Sequence, residues 1–256
     1  MKLTNTKAFI TGVSRKRGIG YAVAEQFLKE GADVFLQGYP QYDEDVHDDR
    51  NSKEDLLGKL REIGPSVEYA DADLSGREVP KELMEKAYSV FDDIDIMVMN
   101  HAYSTEGKLE ELTPENIDTH MQVNVRAMLL LLKEWSLRRQ KNGGSVILLT
   151  SGQHMGPMTG ELSYAASKGA IHQLTRSLSS HFGQRNIRVN AVNPGPTDTI
   201  NYKAGYPELY NAVLEKMPFG RWGEPGDAAR LITWLASQDA KWITGQIINS
   251  DGGFEY

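Results

Sequence analysis

Tyr164 and Lys168 stand four residues apart in Ser163-Tyr164-Ala165-Ala166-Ser167-Lys168-Gly169, and Ser151 lies thirteen residues before Tyr164, at the end of an apolar run. Residues i and i+4 share a helix face, so a helix here sets the Lys168 ammonium beside the Tyr164 phenol. A free tyrosine ionises only near pH ~10, too high for acid–base work at neutral pH. Bringing that value to about 7 takes roughly 4 kcal/mol, at ~1.4 kcal/mol per unit. One ammonium ~4 Å away, at an effective dielectric near 20, supplies about that much. Ser151 would then hydrogen-bond a substrate carbonyl. An isolated Tyr-x-x-x-Lys is more simply a surface pair on an ordinary helix.

A second segment changes that balance. Lys7–Thr11 reads as a short buried strand running into Gly12-Val13-Ser14-Arg15-Lys16-Arg17-Gly18-Ile19-Gly20, followed by a helical pattern from Tyr21 to Lys29. Strand, glycine-rich turn and helix are the context that a dinucleotide fingerprint requires. Glycines let the backbone approach a pyrophosphate, and the helix start offers N–H groups and the positive end of its dipole. Glycine also punctuates ordinary turns. Alongside Ser151, Tyr164 and Lys168 on one domain-sized chain, coincidence becomes a poor explanation.

Taken together, these segments resemble the short-chain dehydrogenase/reductase family, whose members include 3-oxoacyl-[acyl-carrier-protein] reductases, and the resemblance covers nearly the whole chain. It implies a catalytic set of Asn124, Ser151, Tyr164 and Lys168. It assigns Gly12, Ser14, Arg15, Arg17, Gly18, Ile19 and Gly20 to the cofactor loop, and Asp73 with Leu74 to the adenine. Asn100 and Ala102 resemble the segment after the fourth strand, and Pro194, Gly195 and Thr199 the loop that cups nicotinamide. Asp251-Gly252-Gly253 looks like the ending of the last strand. In the implied roles, Tyr164 exchanges a proton with the substrate oxygen and Lys168 lowers the Tyr164 pKa and binds ribose hydroxyls. Ser151 stabilises the carbonyl oxygen, and Asn124 anchors a water on the proton path to Lys168. Two positions depart from the pattern: five residues, rather than the usual three, separate Gly12 from Gly18, and Tyr103 replaces the usual glycine after Asn100-His101-Ala102.

The elements that must position these residues alternate along the chain. Strands are expected near Lys7–Thr11, Asp33–Gln37, Val67–Ala70, Ile94–Met99, Ser145–Thr150, Arg188–Val192 and Gln246–Asn249, with helices between. This alternation implies an α/β fold: a Rossmann-type, doubly wound, seven-stranded parallel sheet with helices on both faces. No repeat, low-complexity stretch or linker divides the chain, so residues 1–256 are expected to form a single domain with a substrate lid at about 198–220. Tyr202, Tyr206, Tyr210 and Met217 are expected to line the pocket under that lid.

Composition narrows the partners. The formal net charge is −7 over 256 residues, which argues against nucleic acid or an anionic membrane surface. The longest apolar run, Ala127 to Leu132, is too short for a bilayer. The opening residues lack a signal-peptide pattern, and the chain has no cysteine, so a cytoplasmic setting is expected. Its six histidines show no metal-site spacing, so no metal is expected. The acidic run Asp43 to Asp49 reads as a solvated loop. Met121, Met128 and Leu129–Leu132 read as a buried helix face, and Trp222, Trp234 and Trp242 as packing near the last helix and strand. The resemblance suggests a homotetramer.

Cofactor choice turns on Gln37-Gly38 at the end of the second strand. An NAD site usually places a carboxylate there, and neither residue is acidic. Arg15, Lys16 and Arg17 crowd the loop and suit a phosphate, so NADP(H) is favoured and NAD(H) also fits. The expected activity interconverts a carbonyl and a secondary alcohol. Candidate substrates are a 3-oxoacyl thioester, its carrier received by Arg138, Arg139, Lys141 and Arg185 near the mouth, or a sugar, polyol or small ketone. Enoyl reduction fits less well, because relatives with that activity separate Tyr and Lys by six residues and the matching position is Glu161. A non-catalytic dinucleotide sensor on the same fold is the alternative outside enzymes.

Overall fold

The computed structural model describes residues 1–47, 53–64 and 66–256. Seven strands, β1 (Lys7–Ile10), β2 (Asp33–Gly38), β3 (Val67–Asp71), β4 (Ile96–Met99), β5 (Gly144–Leu149), β6 (Ile187–Asn193) and β7 (Ile247–Asn249), form one sheet in the order β3-β2-β1-β4-β5-β6-β7. Every pairing is parallel. All seven expected strands are present. The largest difference is at β4, which starts at Ile96 instead of Ile94. The Ile94 carbonyl is taken instead by the Trp135 indole N–H at 2.9 Å and by Arg139.

Ten helices cross between the described strands: α1 (Ile19–Lys29), α2 (Pro40–His47), α3 (Lys53–Arg61), α4 (Val79–Val90), α5 (Pro114–His120), α6 (Met128–Arg138), α7 (Leu162–Phe182), α8 (Tyr202–Gly205), α9 (Pro207–Leu214) and α10 (Pro225–Ala236). Strand side chains alternate between two separate cores, one on each face of the sheet. Ala8, Ile10, Val34 and Leu36 pack with α1, α3 and α10. Phe9, Phe35, Met97 and Val146 pack with α4, α6 and α7. Both faces are therefore dry, as a fully covered parallel sheet requires. Each buried Leu, Ile or Phe contributes about 1.5–3 kcal/mol relative to exposure.

Two expectations about this framework need correction. Met121, expected inside, is 38% exposed, whereas Met128 and Leu131 are buried. The difference arises because Met121–Ala127 winds as a π-helix between α5 and α6. A π segment rotates side chains out of the α-helical stripe. The second correction concerns Arg138, Arg139, Lys141 and Arg185, which gather where β5 begins and not at the active-site mouth. Arg139 is buried against Asp93 (3.2 Å) and Asp95 (3.5 Å), and its Nε donates to Gly143 O at 3.0 Å. Arg185 caps Ser136 at 2.9 Å, and Arg138 pairs with Glu134 and Glu85. The strand between these groups and Ser151 is six residues long, which at ~3.3 Å per residue separates them by about 20 Å. They tie α6 to the sheet's amino ends and cannot receive a carrier at the other end.

Candidate active site

At the carboxyl end of β1 the chain turns sharply. Gly12 has φ +71, and a Cβ there would meet Asn100 Nδ2 at 2.7 Å and His101 Cα at 2.9 Å. Gly20, in the first turn of α1, sits so close that its Cβ would lie 2.4 Å from the Gly12 carbonyl. Neither position admits a side chain. The two additional loop residues are absorbed locally: the Gly18 N–H donates to Arg15 O at 3.0 Å, closing a turn with Lys16 and Arg17 at its corner. The longer loop thus leaves the strand end and helix start in their expected relation. No side chain caps the start of α1 at Gly18, so the helix presents its amino end, a place that suits an anion.

Below the loop, polar clamps join β1 to β4. Asn100 Nδ2 donates to the Thr11 and Gly12 carbonyls at 3.1 and 2.9 Å. The buried His101 ring bridges Thr11 Oγ1 at 2.7 Å and the Val123 carbonyl at 3.1 Å. A carbonyl only accepts, so Nε2 carries the proton and Nδ1 accepts from the threonine hydroxyl. Burial holds the His101 pKa down to about 3, with Lys168 nearby adding to the shift, so the ring stays neutral. Gln37 also turns inward, its Oε1 accepting from the Gly12 N–H at 3.0 Å and its Nε2 donating to Ala72 O at 2.8 Å.

A cavity of about 630 Å³ runs across the carboxyl ends of the strands. Its lining includes the predicted residues Gly12, Ser14, Arg15, Gly18, Ile19, Asp73, Leu74, Asn100, Ala102, Tyr164, Lys168, Pro194 and Thr199. Five predicted residues stand behind or beside it. Gly20 lies under the loop, and Gly195, at φ +62, packs against Asp251. Arg17 reaches Asp198 at 3.1 Å. Asn124 sits behind Tyr103, its Oδ1 accepting from the Tyr103 N–H at 2.7 Å and its Nδ2 donating to Tyr103 O and Ser167 Oγ at 2.9 Å. Ser151 follows β5 and is half-buried, with Met158 Sδ 4.0 Å from its hydroxyl.

Tyr164 and Lys168 lie on α7 as the spacing requires, with Lys168 Nζ 5.6 Å from the centre of the Tyr164 ring. Lys168 is buried and donates to the Leu149 carbonyl at 2.8 Å. The charge arithmetic, however, runs differently from the sequence expectation. Burial lowers the Lys168 pKa to about 8. Burial also pushes the Tyr164 phenol up, the charge of Glu161 adds to this, and the Ser151 hydroxyl opposes it. Both groups lose water, and dehydration disfavours the charged form of each. These residues on their own therefore do not bring the phenol toward neutrality; they hold it protonated.

Comparison with known proteins agrees with this arrangement. A family profile described as Enoyl-(Acyl carrier protein) reductase matches residues 12–255. The chain is 38% identical over 250 residues to the uncharacterized oxidoreductase YjdA of Bacillus subtilis, with 96% of each chain covered. A short-chain dehydrogenase/reductase from Serratia marcescens matches in structure with a TM-score of 0.89 at 31% identity, covering 100% of both chains. The angucycline C-6 ketoreductase LanV with bound NADP matches with a TM-score of 0.87 at 31% identity, covering 98% of this chain and 96% of that one. The chain belongs to the short-chain dehydrogenase/reductase family. It is an oxidoreductase by that membership, with the Rossmann-type sheet typical of the family.

Within that family frame, several residues stand where the sequence alone did not place them. Asp43 was expected in a solvated loop, of which Asp48 and Asp49 lie outside the described residues. It is buried on α2 and pairs with Arg15 Nε at 2.7 Å and with the Ser14 hydroxyl. Lys16 pairs with Asp55. The basic loop that favoured a phosphate is thus tied to carboxylates, Arg15 inside the cavity itself. Tyr42, one residue earlier, exchanges two hydrogen bonds with the Ser104 backbone at 3.1 and 3.0 Å. Its ring lies 5.6 Å from that of Tyr103, which meets His120 edge-on at 4.8 Å. Tyr103 therefore lines the cavity and does not point outward.

Residues 198–220, expected to form a lid, differ more from expectation. Of its four predicted lining residues only Tyr202 reaches the cavity. Tyr206 is 54% exposed, Met217 is buried beside Gly252, and Tyr210 stacks on Trp222 at 5.3 Å. Trp222, expected to pack near the last helix and strand, stacks also on Tyr202 at 4.8 Å. Trp242 is 94% exposed and so stands outside the packed interior. Aromatic spacing on a short helix gave no hint of which ring turns inward.

Proposed function

We propose that this protein interconverts a small-molecule ketone and its secondary alcohol, using NADP(H) in preference to NAD(H). The observation that carries the proposal is one cavity lined by the glycine loop, Tyr164 and Lys168, with Ser151 alongside. The residues fit a dinucleotide: Gly12 and Gly20 leave backbone where a Cβ would clash, and α1 offers an uncapped amino end. Gly12, Gly18 and Ile19 would hold the pyrophosphate, Asp73 and Leu74 the adenine, and Pro194 with Thr199 the nicotinamide side. Bound there, the cofactor supplies or accepts the hydride. LanV, which binds NADP, supports the phosphate-bearing form.

The protein's own residues then manage the proton. Tyr164, held protonated by burial, donates from Oη to the oxygen of the carbonyl. Ser151 donates a hydrogen bond to that same oxygen and stabilises the charge that grows on it. Lys168, anchored on Leu149, keeps a positive charge near the phenol below about pH 8. Asn124 fixes the Tyr103 backbone beside it and retains its proposed place on a proton relay.

A 3-oxoacyl thioester on a carrier protein loses the support of the basic cluster, which lies at the other end of β5. Enoyl reduction is also disfavoured, since Glu161 stands at the position that would need a tyrosine. The homotetramer and the cytoplasmic setting belong to this proposal as family expectations; exposed Trp242 and Leu137 are apolar surface that subunit contacts would cover. Among the described residues no helix is long and apolar enough to cross a membrane. The test is loss of NADPH absorbance against a panel of ketones, reducing sugars and 3-oxoacyl thioesters. Ketone turnover is expected; no turnover of any compound, with NADPH bound, would favour a sensor.

A further inference from the structure

The segment Phe254–Tyr256 has no part in the chemistry described above, yet it touches both loops that flank the site. The Tyr256 ring lies against Gly152, the residue after Ser151. A Cβ on Gly152 would sit 1.9 Å from Cε1 and 2.4 Å from Cζ of that ring, and one on Gly156 would sit 2.7 Å from the Tyr256 Cβ. Only glycine permits this contact, so the path of the chain from Ser151 to Gly156 and the position of the ring determine each other.

The phenol reaches the other loop. Tyr256 Oη accepts from Asn193 Nδ2 at 2.7 Å and donates to Asp251 Oδ2 at 3.3 Å. Asn193, fully buried at the end of β6, uses its Oδ1 to accept from the Gly195 N–H at 3.1 Å. Gly195 is the left-handed residue of the Pro194-Gly195 turn. The segment is itself fixed at its base, where the Glu255 N–H donates to Lys216 O at 3.1 Å behind the lid. One side chain thus spans the Ser151 loop and the Pro194-Gly195 turn, which otherwise leave the sheet on separate strands.

We propose that Tyr256 is a positioning residue that holds the Ser151 loop and the Pro194-Gly195 turn in register across the cavity. Its ring sets the first and its hydroxyl, through Asn193, sets the second. The proposal rests on Ser151 acting as the carbonyl hydrogen-bond donor. Misplacing such a group by about 1 Å can cost up to ~100-fold in rate, so a change at Tyr256 acts on turnover without touching the reacting atoms.

The test uses the full chain saturated with NADPH and compares Tyr256→Ala and Tyr256→Phe with wild type. Deuterium exchange is read on peptides covering 151–156 and 193–199, which requires no known substrate. Tyr256→Ala is expected to speed exchange in both peptides about tenfold or more while the central strands keep their protection. Tyr256→Phe is expected to speed only 193–199, because the ring stays on Gly152. On whichever ketone wild type reduces, Tyr256→Ala should lower kcat about tenfold with the Kd for NADPH within about twofold. Unchanged exchange in both peptides, or loosening spread evenly over the sheet, would overturn the proposal. If Tyr256→Ala does not fold, Tyr256→Phe decides: unchanged exchange over 193–199 refutes the assignment. Absence of any ketone turnover by wild type would refute the proposed function and leave the exchange result standing.

Discussion

The two walls of the cavity are held by different forces. On the cofactor-loop wall, Thr11, Gln37, Asn100 and His101 are half-buried or buried and bond to backbone groups of β1, β4 and the π segment. On the wall beside residues 198–220, Tyr202 is held by ring stacking on Trp222; Tyr210 stacks on the same indole outside the cavity, and Tyr206 projects into solvent. A buried polar clamp has few alternatives, since leaving one partner unsatisfied costs about 1–3 kcal/mol. A stacked ring pair is worth only about 0.5–1.5 kcal/mol beyond the area it buries. The first wall therefore suits a constant ligand, and the second suits whatever substrate the protein selects.

This contrast predicts where substitutions will act. Lys168→Met should lower turnover by about 10²–10⁴-fold, in the range of a lost acid–base group. The same lysine strains the fold. Its pKa drops from the usual 10.5 to about 8, so between those values the unfolded chain binds more protons and wild-type stability rises with pH. The gain should approach roughly 3 kcal/mol by full deprotonation and be missing in Lys168→Met. Urea unfolding at a series of pH values from neutral to alkaline checks it; parallel pH curves for the two proteins would show that Lys168 is not dehydrated.

Asp43→Asn should act next most strongly, and on the first wall alone. It removes the charge that ties up Arg15, so NADPH should bind about tenfold tighter, a gain of ~1.4 kcal/mol. NADH, lacking the 2′-phosphate, should change less than about twofold. Fluorescence titration reads both, and weaker NADPH binding would mean that Asp43 orients Arg15 instead of competing for it. The smallest effects belong to residues 198–220. Tyr202→Ala should raise KM about fivefold through lost contact area, whereas Tyr206→Ala should stay within about twofold, as exposed substitutions usually do. Equal effects at the two positions would erase the distinction between inward and outward rings.

The same contrast separates what could be read in the sequence from what could not. Strand periodicity and glycine placement are local, so the seven strands, the loop and the Tyr164–Lys168 face are legible in the sequence. Residues whose role depends on a distant partner are not. Asp43 reads as one acid in a charged run until Arg15 and Ser14 close on it. His101 carries no role in the sequence until the π segment presents the Val123 carbonyl. The phenol's protonation follows the same rule: spacing reveals the nearby charge but not the burial that raises the phenol's pKa. The stacking of Trp222 on Tyr202 and Tyr210 has no local signal at all.

One variant tests the core of the account, that the Tyr164 phenol is the proton donor beside the dinucleotide. Tyr164→Phe keeps the ring under Lys168 and removes only the hydroxyl. NADPH should bind it with a Kd within about twofold of wild type, while ketone reduction falls by about a thousandfold. Turnover close to wild type in a variant that still binds NADPH would contradict the account.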